Sequence, residues 1–123
     1  MTEARITTDC IFCKIVRGEI PTKKIHEDQD VLAFHDVRPQ APVHFLIIPK
    51  QHIATLYEAD ASHERALGKL LALAGRLARQ EGAGEGFRTI VNTGRVGHQE
   101  VYHVHMHVLG GPEPLGPMLQ RKK

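Results

Sequence analysis

Three histidines alternate with apolar residues in one stretch, Tyr102-His103-Val104-His105-Met106-His107-Val108-Leu109-Gly110-Gly111. Near neutral pH an imidazole offers both a lone pair and an N–H. A row of three therefore suits metal binding, phosphate binding, proton transfer or nucleophilic attack. Side chains of a β-strand alternate between faces, so a strand sets His103, His105 and His107 on one side, each roughly 6.6 Å from the next. Val104, Met106 and Val108 then face a core. A helix would scatter the same histidines around its circumference. A solvated strand face draws on Lys, Thr, Glu and Ser, so plain polar exposure is a poor account of this row.

Cys10-x-x-Cys13 is the second pattern with chemical content. Its spacing suits two zinc ligands. A redox pair is the competing reading, although the βαβ context of thioredoxin-like proteins is missing. Two buried free thiols packing as small hydrophobes are the third.

The elements that must position these residues follow from periodicity. Ile11, Phe12, Ile15 and Val16 recur at helical spacing, and Gly18 stops that short helix. Residues 23–27 and 31–35 flank Asp28-Gln29-Asp30 and read as a hairpin. Residues 36–42 hold Pro39 and Pro42 and read as a loop. Residues 43–48 form an apolar strand carrying His44 and ended by Pro49. Residues 51–57 are a connection of uncertain structure. The longest element runs from about Ser62 to Gln80, with Ala66, Leu67, Leu70, Leu71, Ala74, Leu77 and Ala78 as its apolar stripe and Asp60 or Ser62 as its N-cap. Residues 87–92 are a further strand, and a loop leads into the histidine strand. The sum is an α+β fold: about five mostly antiparallel strands with one short and one long helix.

With 123 residues, 41% of them hydrophobic and 24% charged, the chain supports one core and one domain over 1–123. Residues 1–9 read as a flexible N-terminus and 110–123 as an irregular tail. A net charge of +2 is too balanced to argue for nucleic-acid binding. The basic run Arg121-Lys122-Lys123 reads as a frayed end. No apolar run is long enough for a membrane span, and residues 1–9 lack the apolar core of a signal peptide. A soluble, cytoplasmic protein is expected, in which a structural disulfide is not.

His103-Val-His105-Met-His107-Val resembles the motif of the histidine triad (HIT) superfamily. Ile11-Phe12-Cys13-Lys14-Ile15, Phe34-His35-Asp36, Pro42-Val43-His44-Phe45, Ile48-Pro49-Lys50, Asn92 and Gly110-Gly111 resemble its Hint branch, and Pro114-Leu115-Gly116-Pro117-Met118 its bacterial members. The resemblance covers Cys10 to Met118. It implies a HIT-like fold and a hydrolase that cleaves a P–N or related bond of a purine nucleoside monophosphate, AMP derivatives foremost, through a covalent nucleotidyl-histidine. It implies that His105 attacks phosphorus, with a backbone carbonyl near His103 holding its far N–H, and that His107 donates to a phosphate oxygen or leaving group. Gln99 and Asn92 correspond to contacts with phosphate or leaving group. His35 and Asp36 belong to the nucleoside side. There Asp36 would accept the ribose hydroxyls, and Ile11, Phe12, Ile15, Phe34 and Val37 would form the purine slot. Through the galactose-1-phosphate uridylyltransferase branch the resemblance also implies a structural zinc on Cys10, Cys13, His44 and His103. In metal-free relatives His44 and His103 join a relay behind the nucleophile instead. The chemistry itself needs no cofactor, and a homodimer is implied. Dinucleoside polyphosphate hydrolysis, or nucleotide binding and scaffolding with incidental hydrolysis, are the rival functions. Glu100 departs from the small hydroxyl residue that many members carry beside the glutamine. It would repel a phosphate unless it turns away or meets a cationic amine.

Overall fold

The protein is described here by a computed structural model that places residues 10–119. The expected flexible segment 1–9 and the basic run Arg121 to Lys123 lie outside the described residues. Helix α1 spans Ile11–Val16 and is capped by Cys10, whose Sγ accepts from the Cys13 N–H. Strands β1 (Lys24–Glu27) and β2 (Val31–His35) form the expected hairpin, and β3 runs Val43–Pro49. A long helix α2 covers Glu64–Gln80, followed by β4 (Phe87–Ile90) and β5 (Met106–Gly110). The sheet order is β1-β2-β3-β5-β4, and every neighbouring pair is antiparallel.

The sheet separates two apolar layers. Val31, Ala33, Phe45, Ile47, Met106 and Val108 face α2 and meet Leu70, Ala74, Leu77 and Ala78. Leu32, Phe34, Leu46 and Ile48 face the other way, onto Phe12, Cys13 and Ile15 of α1. Strand β3 is buried along its whole length, because both faces are covered. That is why it reads as an unbroken apolar run rather than an alternating one. His44 shares the α1 face with Leu46 and Ile48, two and four residues on.

The long helix starts through a one-turn 3-10 segment at Ala61–His63, which Asp60 caps by accepting from the Ser62 N–H, while His63 Nδ1 accepts from the Asp60 N–H. Asp60 is thus the cap, and Ser62 lies inside the first turn. Leu71 does not join the buried stripe: it is 66% exposed. Its position lies about 100° around the helix from Leu70, off the side that meets the sheet. Lys69 and Arg65 reach Asp30 at 2.7 and 3.0 Å and tie the helix to the hairpin turn.

The histidine strand is shorter than expected. Pairing with β3 begins only at Met106, opposite Ile47. His103, Val104 and His105 precede the strand, and the Val104 N–H bonds to Ile53 O instead. The backbone there leaves the sheet to meet the segment that follows β3. Strand β4 likewise ends at Ile90 rather than at Asn92. At the far end of β5, a Cβ on Gly110 would stand 2.7 Å from the Ala83 Cβ and 3.0 Å from Gly86 O. Only glycine lets the 83–86 turn pack onto the strand end. The tail after Gly111 is irregular as far as it is described. Among the described residues, no helix is long and apolar enough to cross a membrane.

Candidate active site

Between α1, β2 and the open face of the sheet lies a cleft of about 690 Å³. Ile11, Phe12, Ile15, Phe34, His35, Asp36, Val37 and Asn92 all line it, as do His44, His105 and His107. Phe12 stands between the two ends: its ring meets Phe34 edge-on at 5.8 Å and His105 at 5.1 Å. One end is apolar and suits a heterocycle. The other is a set of ring nitrogens.

The direction of each imidazole proton can be read from backbone partners, because a carbonyl only accepts and an amide N–H only donates. His105 Nδ1 lies 2.8 Å from His103 O, so Nδ1 carries the proton and Nε2 keeps its lone pair. Burial holds the His105 pKa below its ordinary value, against the upward pull of that bond and of Asp36 and Glu100. The ring is a neutral imidazole at pH 7, the form that can attack phosphorus.

A second chain of bonds runs behind it. The Gln40 N–H donates to His44 Nδ1 at 2.9 Å. His44 Nε2 must then carry the proton, and it donates to His107 Nδ1 at 2.9 Å. His107 is left with its proton on Nε2. Its pKa is pushed down to about 4, by burial first and then by His105 and His44. Asp36 Oδ2 stands 3.5 Å from His44 Nε2, and its other oxygen accepts from the Arg38 N–H. Asp36, His44 and His107 are close enough to hold a metal ion. The Gln40 bond argues against that use, since it spends the facing nitrogen of His44 on a proton. This cluster is a relay from a backbone amide to the ring of His107.

His103 turns away from the cleft. Its Nε2 donates to Pro49 O at 2.8 Å, which points the bare Nδ1 at the two cysteines. Burial lowers its pKa to about 4. Nδ1 lies 3.3 Å from Cys10 Sγ, 3.6 Å from Cys13 Sγ and 3.2 Å from His52 Nδ1, and Cys13 Sγ lies 3.2 Å from His52 Nδ1. Tetrahedral zinc needs ligand atoms about 3.3 to 3.8 Å apart, given bonds of about 2.0–2.1 Å to nitrogen and 2.3 Å to sulfur. Cys10, Cys13, His52 and His103 therefore form a group that could hold a metal ion.

This corrects the expected ligand set: His52 takes the fourth place and His44 has none. His44 sits near the start of β3, whereas the cysteines gather at its Pro49 end. Five residues of strand separate those points by about 16 Å. The expected relay of His44 with His103 is corrected for the same reason, since His44 bonds to His107. His52 lies in the connection whose structure periodicity left open.

Gln99 also differs from expectation. It does not line the cleft. Its Oε1 accepts from the Gly94 N–H, and its Nε2 donates to Ala54 O and Val101 O. The amide is spent on backbone and pins the 93–101 loop. That loop carries His98, in a left-handed backbone conformation at φ 65, and Glu100 to the cleft wall.

Fold and site together define a small α+β domain whose open sheet face carries a histidine-lined cleft beside a Cys₂His₂ cluster. The HIT domain profile matches residues 17–113. The chain belongs to the HIT family. It is 53% identical over 115 residues to the purine nucleoside phosphoramidase of Escherichia coli K12, covering 93% of this chain and 96% of that one. It is 56% identical over 106 residues to an uncharacterized HIT-like protein of Synechococcus elongatus, covering 86% and 93%. A HIT family hydrolase from Legionella pneumophila superposes with a TM-score of 0.82 at 48% identity, over 89% of this chain and 98% of that one.

Proposed function

We propose that this protein hydrolyses the P–N bond of purine nucleoside 5′-phosphoramidates through a nucleotide held covalently on His105. The observation that carries the reading is the pair of ring nitrogens at the cleft: a bare His105 Nε2 beside a His107 Nε2 that bears a proton. His105 Nε2 forms a bond to phosphorus as the bond to nitrogen breaks, and the electron pair leaves on the amine. Solvent supplies the proton that the amine carries away. The His107 N–H bonds to the oxygen or nitrogen on which charge develops. Water then attacks phosphorus, His105 regains its lone pair, and the nucleoside monophosphate leaves. The apolar slot from Ile11 to Phe34 takes the purine, Asp36 the ribose hydroxyls, and Asn92 the phosphate region. Gln99 acts at one remove, by holding the loop. Release of AMP from adenosine 5′-phosphoramidate by the purified protein tests the reading; no release overturns it.

Two further outcomes follow from this site. The active form of His105 is neutral, and burial moves its protonation below the ordinary imidazole value of 6.5. Protonating His107, at about 4, also removes the acceptor that His44 needs. The acid limb of the kcat/KM profile should therefore be centred below 6.5. An acid limb centred at or above 6.5 contradicts the assignment. Asp36→Asn keeps an oxygen for the Arg38 N–H but loses the charge. It is expected to lower kcat/KM for the ribonucleotide by about 10- to 100-fold, with little effect on a 2′,3′-dideoxy analogue. Equal losses on both substrates would remove Asp36 from the ribose contact.

The reading includes a structural zinc on Cys10, Cys13, His52 and His103. A closed Cys₂His₂ site leaves His105 free and fixes the His103 backbone whose carbonyl orients it. It also includes a homodimer. Edge strand β4 leaves Phe87 and the following Val91 exposed, and α2 leaves Leu71 exposed, an apolar strip that a second copy would cover.

A further inference from the structure

Glu100 stands on the wall of the same cleft as His105 and His107. Its charge is felt by both rings, raising the proton affinity of each. The neighbouring Gln99, held by three backbone bonds, fixes where it stands. Glu100 is solvent-exposed and makes no hydrogen bond or ion pair with another described residue. Asp36 is the other carboxylate of the cleft, and its oxygens face the Arg38 amide and His44 on the nucleoside side. Arg38 and His98 also line the wall. A bound phosphoramidate is anionic at phosphorus, so a carboxylate beside its departing group weakens binding in the transition state. A positive charge on that group reverses the sign of the interaction.

We propose that Glu100 selects the leaving group, favouring nucleoside phosphoramidates whose departing amine carries a second, cationic nitrogen a few bonds from the P–N bond. The proposal rests on the phosphoramidase reading above. A charge pair about 6 Å apart at the protein surface corresponds to roughly three- to thirtyfold in rate constant.

Three AMP phosphoramidates of similar length test it, made with 1,4-diaminobutane, n-pentylamine and 4-aminobutyrate. Their distal ends are cationic, neutral and anionic. Wild type should give kcat/KM in that order, with about a tenfold or greater span at low salt that shrinks as salt rises. Glu100→Gln should flatten the span, and Glu100→Lys should invert it. Comparing the span between wild type and variant cancels the intrinsic reactivity of each amine. Turnover with the same span in wild type and Glu100→Gln overturns the role of Glu100 and leaves the phosphoramidase reading standing. No AMP from any of the three substrates with wild type overturns both.

Discussion

His105→Ala is expected to lower turnover of adenosine 5′-phosphoramidate by about 10⁴-fold or more, while AMP still binds within a few-fold of wild type. The size of the effect follows from what is removed. Among the described residues, no other ring lining the cleft combines a bare nitrogen with a backbone carbonyl holding its far proton. His107 has its acceptor nitrogen occupied by His44, and His103 faces the cysteines. Neither can take over the attack by a small movement. Nucleotide affinity should survive because the proposed purine and ribose contacts are made by other side chains. His105 packs edge-on against Phe12, so the truncation also leaves a small void, and a melting curve separates a folding loss from a chemical one. Mass spectrometry of quenched wild type should show one adenylyl group on the peptide holding His105, and the variant should show none. Equal turnover by both proteins would move the nucleophile to another residue. Two inert proteins that still bind AMP would make this a nucleotide-responsive binding module.

The second large effect concerns the Cys₂His₂ cluster. Purified without added metal, the protein is expected to hold about one equivalent of zinc, and Cys13→Ser should hold almost none. Cys13 is the better target, since its Sγ approaches both His52 and His103. The cluster joins α1, the segment after β3 and the start of the histidine run. A metal held there would tie together parts of the chain far apart in sequence. The domain has its own two-layer core, so metal loss should weaken it rather than unfold it. A loss of about 3 kcal/mol in a domain of this size lowers Tm by roughly 10 °C. His52→Ala should repeat the effect, whereas His44→Ala should leave metal content unchanged. Metal well below one equivalent in wild type, with a Tm indifferent to chelator, would reduce the cluster to hydrogen-bonded thiols and imidazoles.

Much of the fold was legible because its signals are local. The hairpin over 24–35 announces itself by two apolar stretches around Asp28-Gln29-Asp30, and α2 by leucines and alanines at helical spacing. That Ile11, Phe12, Phe34, His35 and Asp36 line one cleft was legible for another reason: Phe34-His35-Asp36 and Ile11-Phe12-Cys13 match a known pattern residue by residue. Leu71 was not, because the apolar stripe of a helix is wider in sequence than the arc a sheet can cover. The start of β5 was not, because alternation marks the face on which a residue sits and carries no information on where a neighbouring strand ends.

By itself the sequence determined that three imidazoles alternate with core residues, that two thiols stand at ligand spacing, and that one apolar helix backs the sheet. Those are properties of residues within a few positions of each other, where backbone geometry alone sets the relation. Tertiary structure decided the roles. His44 pairs with His107 across 63 residues, Cys13 with His52 across 39, and His103 with Pro49 across 54. The proton of His105 is placed by the His103 carbonyl two residues back and that of His44 by the Gln40 amide four residues back, whereas that of His103 is placed by Pro49 O, 54 residues away. The chemistry of an imidazole is set by where that proton sits and by which rings and thiols stand against its bare nitrogen, and residue identity alone names only the candidates.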